Sequence, residues 1–236
     1  MVMFPLLSAP NVPVRLRVAL SAFLSLMVFP NVSNPVDVST LGLLQIVIVI
    51  FKEVSLGIFL GFICRLFVYV VQLAGTFIST EIGLQTSTLI TPDGVSVDVP
   101  AAVLNLLAMM LFLSLDVHHI LISVFQQTYV VLPIGSGGLT DELFDDLTLR
   151  AGKIFLLAVQ IAAPLIAVSF LIGVVLMMLG RAVPQMNIFF ESFTIRLFAG
   201  LVVFGFSISL AAQHLSDYLR HIPRDLLEVA RLLSAK

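Results

Sequence analysis

From Leu41 to Thr80 the chain is apolar almost without a break. Forty residues is an awkward length for a single membrane crossing. As a helix rising about 1.5 Å per residue it would reach ~60 Å, about twice the hydrocarbon thickness of a bilayer. The run is therefore either two spans or one long helix that leaves the bilayer. The whole chain shares this character: 59% of its 236 residues are hydrophobic and 11% are charged. A soluble domain carries roughly 25% charged residues. The composition is that of an all-α integral membrane protein.

Three charges lie inside that run, at Lys52, Glu53 and Arg65. Lys52 and Glu53 are sequence neighbours and point to different helix faces, so each is expected to need its own partner. Arg65 is too far along to pair with Glu53 on one helix. A charge at membrane depth is costly unless it is paired or wetted. These residues therefore mark the headgroup level, or they face partner subunits or a watery lumen. Gly57 and Gly61 make a small-xxx-small spacing that lets another helix approach closely.

The run ends in a polar interruption from Glu81 to Pro100 with the sequence EIGLQTSTLITPDGVSVDVP. Pro92 removes a backbone donor, and the Thr91-Pro92-Asp93-Gly94 tetrad favours a turn. Non-helical backbone of this kind cannot face lipid; it sits in water or is enclosed by protein.

Apolar segments recur on either side. Val14 to Phe29 is short for a span and begins with Arg15 and Arg17. Pro30 to Asp37 is a turn-rich connector. Ala101 to Leu115 is a third segment, closed by Asp116-Val117-His118-His119. Ile120 to Pro133 leads into a glycine-rich loop at Pro133 to Gly138. Thr140 is placed to cap a short acidic helix over Asp141 to Asp146. Arg150 to Gly180 is a fourth apolar block that Pro164 is expected to kink. Phe193 to Ala212 is a fifth, interrupted by Arg196. The last twenty residues, 217–236, are amphipathic, with Leu219, Ile222, Leu226, Val229, Leu232 and Leu233 at helical spacing. Four basic and three acidic residues in this tail lean weakly towards the cytoplasmic side.

The chemistry these residues exclude is as informative. No nucleophile, phosphate-loop or metalloprotease motif is present. His118 and His119 are adjacent, which turns their rings about 100° apart on a helix, so they read as a polar helix end rather than metal ligands. The acids at 141–146 lack calcium-loop spacing. Cys64, the one cysteine, lies in an apolar run and permits no intrachain disulfide. A net charge of −2 gives no basis for nucleic-acid binding. No enzyme, cofactor or metal is expected. Trp is absent and Tyr scarce, so the interfacial aromatic belt is thin, which suits a surface that meets other proteins. No internal repeat of the kind found in two-half transporters is visible. The N-terminal stretch does not show the basic-then-apolar order of a signal peptide.

One more polar step lies between apolar runs, at Arg181-Ala182-Val183-Pro184-Gln185-Met186-Asn187-Ile188-Phe189. The residue before Pro184 disfavours the α region, so a helix is expected to end there. The step is either a hairpin at the membrane surface or an inter-subunit joint with buried polar groups.

Taken in order, these stretches resemble one family, the R-type subunit of the flagellar protein-export gate and its homologues in virulence type III secretion. The resemblance is carried by Val12-Pro13-Val14-Arg15, Glu53 with Gly57, Gly61-Phe62, Gln72 with Ala74-Gly75, and Glu81-Ile82-Gly83-Leu84. It continues through His118-His119, Leu132-Pro133-Ile134-Gly135, Ala163-Pro164 and the 180–189 stretch, the most specific piece. Two departures stand out. The family usually has a further apolar helix before the Val-Pro-x-Arg region. The acid usually found before the loop proline is Thr91 here, with Asp93 after it.

The resemblance implies stacked helical hairpins with kinked long helices and one plug loop, residues 82–100, within a single export-gate domain. It implies assembly with P-type and Q-type subunits into a closed pore for unfolded export substrates, wrapped by a switch (B-type) subunit. The place would be the bacterial inner membrane, at the flagellar basal body. An injectisome subunit is the alternative, and a self-contained transporter or channel the competing class. On this reading Gly83, Leu84, Leu89, Ile90, Pro92, Asp93, Gly94 and Pro100 belong to the plug. Glu53, Gly57, Gly61, Arg65, Arg181, Pro184, Gln185 and Asn187 belong to subunit interfaces.

Overall fold

The computed structural model describes residues 13–31, 42–84, 98–135, 141–183 and 188–234. Among them there is no strand; every regular element is a helix. The elements are α1 (Val14–Val28), followed by a 3₁₀ turn at Phe29–Asn31, then α2 (Leu43–Ile82), α3 (Val99–Ser114), α4 (Val117–Val131), α5 (Asp141–Ala182) and α6 (Ile188–Ser234).

The forty-residue run is one helix, α2, and not two spans. Nothing inside it breaks the ladder: Gly57 and Gly61 are tolerated in a long apolar helix, and it has no proline. The acidic stretch at 141–146 is the first turns of α5 and not a separate short helix. α5 then continues through Pro164 as a single element. The amphipathic tail is the end of α6, which runs unbroken through Pro223. Among the described residues three helices are long and apolar enough to cross a membrane, α2, α5 and most of α6, or four spans if the bent pair α3 and α4 counts as one. Only 17%, 28% and 17% of their most apolar windows are buried within the chain. The remaining apolar surface needs lipid or other protein to cover it.

The chain divides into two compact units. Unit 1 takes residues 1–68, 112–152 and 218–236; unit 2 takes 69–111 and 153–217. Unit 1 buries Leu60, Ile63, Leu66 and Phe67 of α2, Leu121 and Val124 of α4, and Leu219, Ile222, Leu226, Val229 and Leu233 of α6. Phe67 stacks on Tyr218, with ring centroids 6.2 Å apart. Unit 2 buries Val70, Ala74, Ile78 and Ile82 of α2, Leu104 and Ala108 of α3, and Ala158, Ile161, Ala162 and Leu165 of α5. The small residues in that second set let helix backbones come close.

Candidate functional site

In unit 2 the end of α2 and the start of α3 form a tied collar around the ends of the 83–98 step. Gly75 is what permits it. A Cβ at that position would overlap the backbone of Ala101, so α2 and α3 touch there main chain to main chain. Just beyond, Ser79 of α2 donates its hydroxyl to Asp98 Oδ1. The same carboxylate oxygen accepts the Ala101 N–H at 3.2 Å, capping the first turn of α3. Asp98 thus closes a helix start and holds it to the neighbouring helix at once.

Gly83 ends α2. Its φ is +84°, the left-handed conformation that suits glycine after a helix, and its N–H bonds the Thr80 carbonyl at 3.1 Å. One residue earlier, Ile82 is 1% exposed and packs on Gly200 of α6, where an added Cβ would lie 2.7 Å from Ile82 Cγ1. Phe193 of α6 covers the Gly83 position. The step therefore starts and ends at fixed points.

These observations move the expected boundaries. Glu81 and Ile82 are helical, and so are Val99 and Pro100. Pro100, expected in the plug, sits in the first turn of α3, where its missing N–H would have had no helical partner anyway. Gly83 and Leu84 lie in the turn that leaves α2. Leu89, Ile90, Pro92, Asp93 and Gly94 fall outside the described residues, as do Pro184, Gln185 and Asn187 of the expected interface. Arg181 is exposed in the last turn of α5, where a cation suits the helix dipole. Arg65 is half-buried on α2.

Glu81, Ser169, Arg196 and Gly200 line a small cavity of about 10 Å³ in the same unit. The Nε of Arg196 is buried without a hydrogen-bond partner. Gly173 opposes the guanidinium, and a Cβ there would lie 3.3 Å from Arg196 Nη2. The space suffices for about one water.

Unit 1 pairs the charges of α2 differently from expectation. Lys52 and Glu53 do not take separate partners; both close on Gly135. Lys52 Nζ donates to the Gly135 carbonyl at 3.0 Å, and the Gly135 N–H donates to Glu53 Oε1 at 3.0 Å. One residue in a turn offers a donor and an acceptor on opposite sides of its Cα, so two neighbouring charges can use it. Gly135 has φ +77° and lies against Val49, which leaves little room for a side chain. Tyr129 of α4 adds a long contact of 3.5 Å to Glu53 Oε2. Glu53, Gly57 and Gly61, expected at an interface, line one wall of a cavity of about 400 Å³ bounded by α1, α2 and α4. Cys64 is buried on the same wall.

An ionic cluster that sequence alone does not single out centres on Arg150. Arg150 of α5 is 7% exposed and reaches three carboxylates: Asp146 at 2.6 Å, Asp225 at 2.6 Å and Glu228 at 3.0 Å. The signal was available. Asp146 and Arg150 have i,i+4 spacing, and Asp225 and Glu228 share a face of α6. At the α3–α4 break Asp116 has φ 52°, and it, His118 and His119 bring their ligand atoms within 4.8 Å of one another. Asp116 Oδ1 lies 3.5 Å from His119 Nδ1.

The profile of the bacterial export proteins, family 1, matches residues 1–222. The chain is 29% identical over 234 residues to the flagellar biosynthetic protein FliR of Escherichia coli K12, covering 97% of this chain and 88% of that protein. It is 29% identical over 215 residues to the FliR of Caulobacter vibrioides, covering 89% and 84%. It is 27% identical over 192 residues to the FliR of Bacillus subtilis 168, covering 80% and 73%.

Proposed function

The chain belongs to the bacterial export proteins, family 1, and on that premise we propose that it is a structural and gating subunit of the flagellar type III export gate. The observation that carries this reading is the family match across nearly the whole chain, joined by the Escherichia coli, Caulobacter vibrioides and Bacillus subtilis relatives, each named a flagellar biosynthetic protein. Those names also favour a flagellar system over an injectisome. The role is not enzymatic. Its place is the bacterial inner membrane, at the flagellar basal body.

In this account the chain assembles with P-type and Q-type subunits into a closed pore that admits unfolded substrates, with a switch subunit around it. The mostly uncovered apolar faces of α2, α5 and α6 supply the surface for such contacts. The segment between Gly83 and Asp98 is the plug. It is small and polar for the most part, which gives a passing chain little to adhere to. Leu84, Leu89 and Ile90 seal it by excluding water. The collar at Gly75, Ser79, Asp98 and Ala101 supports this role by holding both ends of the plug still.

Arg65, Arg181, Pro184, Gln185 and Asn187 serve subunit interfaces. Affinity purification of the chain from its own membrane should recover P-type and Q-type subunits. Arg181→Ala should reduce that recovery. Recovery of the wild-type chain alone, with solute transport after reconstitution, would overturn the proposal in favour of a self-contained transporter.

A further inference from the structure

The cavity in unit 1 has a volume of about 400 Å³, within the range of about 300–1,000 Å³ typical of small-ligand sites. Well-packed interiors hold few voids larger than a water molecule. Its long wall is one stripe of α2: Glu53, Gly57, Leu60, Gly61 and Cys64. That stripe extends about 16 Å at 1.5 Å per residue. One end is a carboxylate and the other is apolar.

The carboxylate is incompletely used. A carboxylate has about four acceptor sites. Glu53 accepts one well-formed bond from the Gly135 N–H and a long one from Tyr129. Lys52 spends its ammonium on the Gly135 carbonyl, and Glu53 forms no ion pair among the described residues. The cavity therefore offers a negative head site beside Tyr129 and an elongated, mostly apolar body site. Gly57 borders open space: a Cβ there would meet nothing within 4 Å.

We propose that this cavity binds a small amphiphile with an ammonium head and a single apolar body. The ammonium pairs with Glu53, and the body lies along Gly57 and Leu60 towards Cys64 and Leu121. A two-chain lipid exceeds the volume. An anionic head is repelled by the same carboxylate. The site is independent of the export role.

The test uses the full chain in nanodiscs, purified with whatever subunits accompany it, and a fluorine-labelled 4-phenylbutylamine followed by ¹⁹F NMR. One saturable site per chain is expected, with the matching alcohol weaker and 4-phenylbutyrate not bound. Glu53→Gln should weaken binding about tenfold or more, the loss of one charge pair worth about 1.4 kcal/mol. Gly57→Leu should abolish it by filling the space, and Gly57→Ala, which adds one methyl into open volume, should fold normally and weaken it partially. No saturable site in the wild type would overturn the proposal, as it would if a partner side chain filled the cavity. Equal binding of amine and carboxylate, or undiminished binding in Gly57→Leu, would overturn it too.

Discussion

Arg150 shows how a single residue can set the cost of an arrangement. It is nearly buried and holds three carboxylates, two of them from the far end of the chain. Removing the cation leaves Asp146, Asp225 and Glu228 facing one another. Breaking a buried pair by deleting one partner costs about 3–5 kcal/mol. Arg150→Gln should therefore lower the thermal midpoint of the purified protein sharply, while substitution of exposed Arg220 should not. A second residue-scale prediction concerns Asp98. Asp98→Ala loses both the cap on α3 and the tie to Ser79, an expected cost of about 1–2 kcal/mol. Asp98→Asn keeps an acceptor and should cost less. Hydrogen exchange at the first turn of α3 reads the difference; equal protection in both variants would contradict the double role of Asp98.

Among the elements, the close approach of α2 and α3 depends on Gly75. A β-branched residue there meets the Ala101 backbone, which cannot yield as a flexible side chain would. Overpacking of this kind costs about 1–3 kcal/mol. Gly75→Val should separate the helices enough to lower disulfide formation between cysteines placed at positions 79 and 98. Unchanged cross-linking would contradict the packing. The elements also show what hydropathy reads well and badly. The long apolar run was legible from Leu41 to Thr80, because an uninterrupted apolar ladder propagates. The blocks 150–180 and 217–236 run on through Pro164 and Pro223, as α5 and α6 do, but their joining to 141–146 and to 193–212 was less legible. A proline removes one donor and strains one turn, but apolar packing on both sides can hold the helix together. The Pro100 boundary was misplaced for a related reason: proline marks a helix start as readily as a break.

For the molecule as a whole, sequence order carried the family and composition carried the membrane. Neither could find the pairings. Gly135 lies more than eighty residues from both Lys52 and Glu53 in sequence, and Arg150 and Glu228 are 78 apart. Only the fold brings them together. Local spacing offered hints on each helix but not which helices meet. The end of α2, by contrast, was legible because the glycines, prolines and polar residues that follow it in sequence conflict with every neighbouring segment. α2 ends at Ile82 and α3 begins at Val99, which leaves residues 83–98 as the step between them. The central claim is that this step keeps an assembled pore shut. Deleting residues 86–97 while leaving Gly83, Asp98 and the collar intact tests it most directly. In cells that express the whole gate, with assembly verified by co-purification, the deletion should raise ion leakage across the membrane. Leakage equal to that of the intact gate, in an equally assembled complex, would contradict it.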